Sequence, residues 1–160
     1  MKVTVRKARP ADAATLAEYN RLMAEETEHR SLDAIVLRAG VDALLEDESK
    51  GLYYVAETAG GIVGQLMITY EWSDWRNGNF WWIQSVYVKR EFRGKGVFQS
   101  LFEHVTSLAK QRSDICGLRL YVEENNTRAK KTYEGLGMKK TAYEMFEIEF
   151  VLGEKGISKS

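Results

Sequence analysis

The sequence predicts an α/β fold of the α+β type: a single mixed, mostly antiparallel sheet of about six strands with helices on both faces, in the order β-α-α-β-β-β-α-β-α-β. Three observations lead there. The hydrophobic period switches several times between two residues and about 3.6. Short glycine-rich or polar clusters punctuate the chain between those segments. The run Phe80 to Val88 is apolar on both alternating faces, as expected of a central strand covered from both sides.

The elements follow in order. Lys2 to Ala8 alternates as a first strand, and Pro10 turns it into a helix that opens near Asp12 and carries Leu16, Tyr19, Leu22 and Met23 at helical spacing. A second helix is predicted from about Leu32 to Glu48, with Ile35, Val36, Ala39, Ala43 and Leu44 as its apolar stripe. Leu52 to Glu57 and Ile62 to Glu71 read as strands joined by the tight turn Ala59-Gly60-Gly61. The polar turn Asp74 to Asn79 leads into the central strand. After Arg93-Gly94-Lys95-Gly96, the positions Val97, Phe98, Leu101, Phe102, Val105, Leu108 and Ala109 return to helical spacing. Ile115 to Val122 is a further strand, and Asn126 opens a helix that Gly137 ends. Met138 to Val151 is expected to hold the last strand.

Of the 160 residues, 44% are hydrophobic and 29% charged, a balance that suits a packed globule and not a disordered chain. No repeat or linker divides the sequence, so one domain is expected over residues 1–152, with 153–160 as a polar, mobile tail. The 23 basic and 23 acidic residues cancel, which argues against a general nucleic-acid binder. The single cysteine, Cys116, excludes a disulfide framework within the chain and a multi-cysteine zinc site; no metal is expected. The opening residues lack the apolar run of a signal peptide, and no run is long enough to cross a bilayer. The expectation is a cytoplasmic protein without a membrane partner.

Two segments can carry chemistry. Arg93-Gly94-Lys95-Gly96 stands between a strand and a helix, where glycines let backbone approach a ligand and helix N–H groups can face an anion. A plain tight turn is the alternative. A dinucleotide fingerprint would need glycine where Gln99 stands, and no P-loop pattern occurs, which disfavours NAD chemistry and nucleotide hydrolysis. The second segment, Asn126 to Met138, puts Ala129, Tyr133 and Leu136 on one helix face, so a phenol that could donate a proton rides on an apolar stripe; a core tyrosine is the alternative.

Together these segments resemble the two diagnostic stretches of the GNAT superfamily of acyl-CoA N-acyltransferases. The first family motif is Arg or Gln, two residues, Gly, one residue, Gly or Ala, and Arg93 and Gly96 fall in register while Phe98 departs from the last position. Asn126, Ala129, Tyr133, Gly137 and Met138 match the second. The resemblance implies the GNAT fold and acetyl-CoA as cosubstrate. It gives Arg93, Gly94, Lys95, Gly96, Val97 and Phe98 the CoA pyrophosphate. Val86, Tyr87 and Val88 would take the pantetheine arm and polarise the thioester, with Asn126 and Ala129 also toward the cofactor and Tyr133 as the acid that protonates the CoA thiolate. A bacterial-type subgroup is suggested by the stretches Trp72 to Arg76 and Trp81 to Val88.

Many family members place a glutamate on the central strand to assist loss of the amine proton, and here that position is Gln84, whose amide can at most position water. Glu26 and Glu28 near the end of the first helix, and Glu71 beside the central strand, are the base or acceptor-site candidates, each also readable as a solvated end; His29 is a neighbour of the same kind. His104 reads as a packing residue. Trp72, Trp75, Trp81 and Trp82 can wall a pocket, although most of their area is expected to be core or subunit interface. The expected function is acetyl transfer from acetyl-CoA to a primary amine, small molecule or peptide, by direct attack in a ternary complex. The alternative is an acyl-CoA-binding regulatory module without transfer activity. The family also leaves room for a homodimer through the last strands.

Overall fold

In the computed structural model, residues 1–152 are described; the tail expected to be mobile, 153–160, lies outside the described residues. The chain divides into two compact units, Met1–Leu120 and Tyr121–Ser160.

The first unit is built on one five-stranded sheet in the order β1-β2-β3-β4-β5, formed by β1 (Thr4–Lys7), β2 (Leu52–Thr58), β3 (Gly61–Ser73), β4 (Gly78–Val88) and β5 (Ile115–Arg119). The first three pairings are antiparallel and β4 pairs with β5 in parallel. A one-turn 3-10 helix at Pro10–Asp12 leads into α1 (Ala13–Glu28), followed by α2 (Ala34–Glu46) and, after β4, by α3 (Val97–Lys110). Asp12 closes the entry turn: its carboxylate accepts the Arg9 N–H at 2.7 Å and an Arg6 hydrogen bond at 2.8 Å. Asp33 caps α2 by accepting the N–H groups of Ile35 and Val36.

Strand alternation splits the core between the two sheet faces. Tyr53, Val55 and Met67 point to one face and pack with Ala13, Leu16, Val41 and Leu44 of α1 and α2. Gly64 points to the other, where an added Cβ would stand 2.8 Å from Val97 of α3; here the missing side chain is what lets the helix approach. Leu101 and Val105 complete the buried stripe of α3.

Two expectations change. Along α2 the buried residues are Val41 and Leu44, with Leu37 and Leu45 half-buried against the same core, whereas Ile35 is 82% and Val36 61% exposed. The true stripe, 37-41-44-45, also has helical spacing; the sequence offered two stripes and only docking onto β2 chose between them. The second correction is the last strand. Among the described residues the second unit contains one helix, α4 (Thr127–Gly135), and 138–152 forms no strand, so the sheet has five strands and not about six. Phe146, Ile148 and Phe150 alternate in a strand-like manner yet are exposed, and a strand exists only where a partner completes its ladder.

Candidate functional site

The site is built around an irregularity in β4. Gln65 of β3 pairs with Tyr87, and Met67, two residues on, pairs with Gln84, three residues back. Ser85 and Val86 together therefore oppose Leu66 alone, a β-bulge, and Ser85 adopts φ +50°, a left-handed conformation that side chains rarely occupy. On the other side, β5 pairs with β4 only from Asn79 to Trp82. Beyond Trp82 no strand among the described residues pairs with that edge of β4.

The bulge is gripped by a buried polar cluster that the sequence reading did not single out. Gln65, with no solvent exposure, donates from Nε2 to Asn20 Oδ1 at 3.0 Å and to the Ser85 carbonyl at 3.2 Å. Asn20 Nδ2 donates to Tyr53 Oη at 3.0 Å, and the Ser85 side chain is hydrogen-bonded to the same phenol. Burial raises the Tyr53 pKa, partly offset by those two hydrogen bonds, so the phenol stays neutral. Gln65 Oε1 is buried without a partner, which costs about 1–3 kcal/mol. One signal was legible: a lone glutamine inside the apolar run Ile62 to Ile68.

Beyond the end of β4 and a 3-10 turn at Arg90–Phe92, Gly94 (φ +74°) and Gly96 (φ +81°) take the left-handed turn conformations that glycine alone adopts without strain, and Gly96 is the N-cap of α3. The leading N–H groups of α3 have no carbonyl inside the helix to bond, and they carry the positive end of its dipole. Arg93 is tied back to the strand, Nε donating to the Val88 carbonyl at 2.8 Å, and its guanidinium lies 5.3 Å from the Tyr87 ring centre. Both carboxylate oxygens of Glu26 are engaged, by Arg90 at 3.0 Å and Arg93 at 2.9 Å. Burial pushes the Glu26 pKa up, and the two arginine hydrogen bonds more than offset it, leaving it below the usual glutamate range.

Lower on β4, Gln84 Nε2 donates to Thr69 Oγ1, a bond that does not use its carbonyl oxygen. Glu71 Oε1 accepts Trp82 Nε1 at 2.9 Å and Arg119 at 2.7 Å, and these bonds hold its pKa down. Arg119 stacks on Phe80 at 3.6 Å. Glu28 is exposed at the end of α1, and His29 follows it in a left-handed cap. The four tryptophans separate: Trp81 is buried, Trp82 half-buried, and Trp72 and Trp75 exposed, the latter by 86%. His104 packs against Tyr54.

In the second unit Asn126 caps α4 by accepting the Ala129 N–H at 3.1 Å. Tyr133 is half-buried, and that burial raises its phenol pKa.

Comparison with known proteins decides the family. A model of the acetyltransferase (GNAT) family matches residues 14–138. The chain belongs to the GNAT acetyltransferase family. This GNAT chain is 49% identical to a possible acetyltransferase from Clostridium difficile 630, with a TM-score of 0.87 over 94% of this chain and 99% of that one. A Clostridium acetobutylicum protein solved with acetyl-CoA shares the fold at a TM-score of 0.75 and 20% identity, covering 93% of this chain and 97% of that one. A Bos taurus thialysine N-epsilon-acetyltransferase is 32% identical over 77 residues, 48% of this chain; the match spans 44% of that protein, less than half its length. Among the described residues no group of three or more His, Cys, Asp or Glu could hold a metal, and no helix is long and apolar enough to cross a membrane.

Proposed function

We propose that this chain transfers the acetyl group of acetyl-CoA to a primary amine, on a small molecule or a peptide, by direct attack in a ternary complex. The observation that carries the reading is the bulged, open edge of β4 running into the left-handed glycine turn, in a chain of this family. The glycine turn fits a pyrophosphate: its glycines leave the backbone accessible, and Arg93 and Lys95 supply positive charge. The name of the bovine relative supports an alkylamine acceptor, and the ligand of the clostridial structure supports acetyl-CoA.

The chemistry assigns the parts as follows. The acceptor ammonium first loses a proton, and its nitrogen then attacks the thioester carbonyl; the C–N bond forms, the C–S bond breaks, and the nitrogen releases a second proton. The departing sulfur takes a proton from Tyr133, whose raised pKa keeps it protonated at neutral pH, and Tyr133 regains it from solvent. Overall an ammonium and acetyl-CoA become an amide, CoA thiol and one proton. Tyr133 takes this role from its place in the family motif. An N–H on β4 near Val86 polarises the thioester carbonyl.

Gln84 at most positions the water that takes the acceptor's proton. With Glu71 and Glu26 held as carboxylates by cations, water carries the first proton away. The kcat/KM profile should therefore rise with pH up to the acceptor's own pKa.

Incubation with acetyl-CoA and an amine panel should release free thiol. Tyr133→Phe should lower kcat by more than about threefold; a smaller change in a folded variant rules out the general-acid role. Stabilisation by CoA with no amine consumed across the panel would instead favour a binding module.

A further inference from the structure

The buried cluster of Asn20, Tyr53 and Gln65 sits where an α/β core ordinarily has apolar side chains, and the chemistry proposed above does not use it. All three are at most 7% exposed, and they come from three elements, α1, β2 and β3. Their hydrogen bonds converge on one residue, Ser85, through both its carbonyl and its side chain. Ser85 is also the residue with the left-handed backbone at the bulge.

Peptide planarity connects this grip to the site. In a trans peptide the carbonyl of one residue and the N–H of the next point in opposite directions. The Ser85 carbonyl is drawn toward Gln65 Nε2, so the Val86 N–H is turned away from Gln65. Val86 belongs to the bulge and pairs with no residue of β3 or β5. Gln65 thereby fixes the direction of a backbone donor on the strand edge that β5 leaves open. The bulge also changes the face of everything after it, since Gln84 and Tyr87, three residues apart, both align with β3 residues of the α1 face.

We propose that Asn20, Tyr53 and Gln65 are positioning residues that lock the Ser85–Val86 peptide so that the Val86 N–H faces the thioester carbonyl of acetyl-CoA. The assignment rests on the acetyl-CoA reading above. Gln65 is the member that touches the peptide. Asn20 holds the Gln65 carboxamide through Oδ1, and Tyr53 holds Asn20. Neutral amides and a phenol of raised pKa suit the task, because the lock then carries no charge that titrates near neutral pH. At the C-terminal end of this strand Arg90 and Arg93 pair with Glu26 beyond it at the glycine turn, and toward its start Glu71 and Arg119 pair with each other beside Trp82 and Phe80.

The test uses Gln65→Met, which keeps volume and loses both donors, and Tyr53→Phe, which removes a single oxygen. Each purified variant is bound to acetyl-CoA labelled with carbon-13 at the carbonyl, and the infrared carbonyl stretch is compared with that of free acetyl-CoA. The wild type should show a shift to lower frequency, and Gln65→Met should lose most of it. Its kcat should fall about tenfold or more while the dissociation constant of acetyl-CoA stays within about twofold. Tyr53→Phe should lose part of the shift, with kcat down about threefold. An unaltered stretch in either folded variant overturns the proposal, even if kcat falls, because a merely structural role would not move the carbonyl. If Gln65→Met fails to fold, Tyr53→Phe decides. If the wild type binds acetyl-CoA with no shift, the thioester does not meet this N–H, and the acetyl-CoA geometry fails together with the lock. If the wild type shifts and the variants do as well, only the lock fails.

Discussion

Two polar clusters grip β4, one at its bulge and one at its C-terminal end, and they use opposite means. Asn20, Tyr53, Gln65 and Ser85 form a buried, uncharged cluster. Glu26, Arg90 and Arg93 form a partly exposed, fully charged one, with Arg90 at 76% side-chain exposure. A buried neutral hydrogen bond holds direction, because no water competes for it and its partners have no alternative. An exposed ion pair holds charge but yields readily to solvent, salt or a competing anion. The first kind suits a peptide that must not turn. The second suits a place that a phosphate must enter.

The contrast can be broken in several ways, the largest effect first. Asn20→Ala leaves the Gln65 amide and the Tyr53 hydroxyl short of a partner and opens a small cavity. It should lower stability by about 2–3 kcal/mol in urea unfolding, with the loss unchanged in 1 M salt. Equal rescue by salt would mean that the cluster is wetter than its burial indicates.

Acid should act on the charged groups alone. Glu26, Glu71 and Asp12 have folded pKa values below their ordinary 4.5, 4.5 and 3.8, so their contribution is present above those values and is lost as pH falls through the lower folded ones. Urea midpoints should hold steady from pH 7 to about 5 and drop below about 4. Raising the ionic strength at pH 7 should reproduce part of that drop through the exposed pairs.

Glu26→Gln should cost at most about 1 kcal/mol of stability. Its effect on binding is the sharper measurement. By releasing Arg90 and Arg93 it should tighten CoA binding several-fold in low salt, with the gain fading at high salt. Weaker binding by the variant would mean that Glu26 aims the arginines and does not compete for them.

The turn segment was legible because its function depends on backbone conformation, and glycines at 94 and 96 announce that in any context. The chain order of elements through α4 was legible because each buries one periodic face. The choice of stripe on α2 was not, since Ile35, Val36 and Ala39 have spacing as good as Leu37, Val41 and Leu44. Glu26 and Glu71 could be named as carboxylates near the site, but their cationic partners stand far away in sequence, at Arg90, Arg93 and Arg119. The missing last strand has the same cause, since alternation along a segment cannot supply the partner that makes it a strand.

What the sequence determined by itself were the local things: the periods that make helices and strands, the left-handed turn, the two family motifs and the presence of an amide at position 84. Only the tertiary structure decided the bulge at Ser85 and the cluster that holds it. A bulge is a mismatch of register between two strands, and Asn20, Tyr53 and Gln65 meet only when α1, β2 and β3 are packed together.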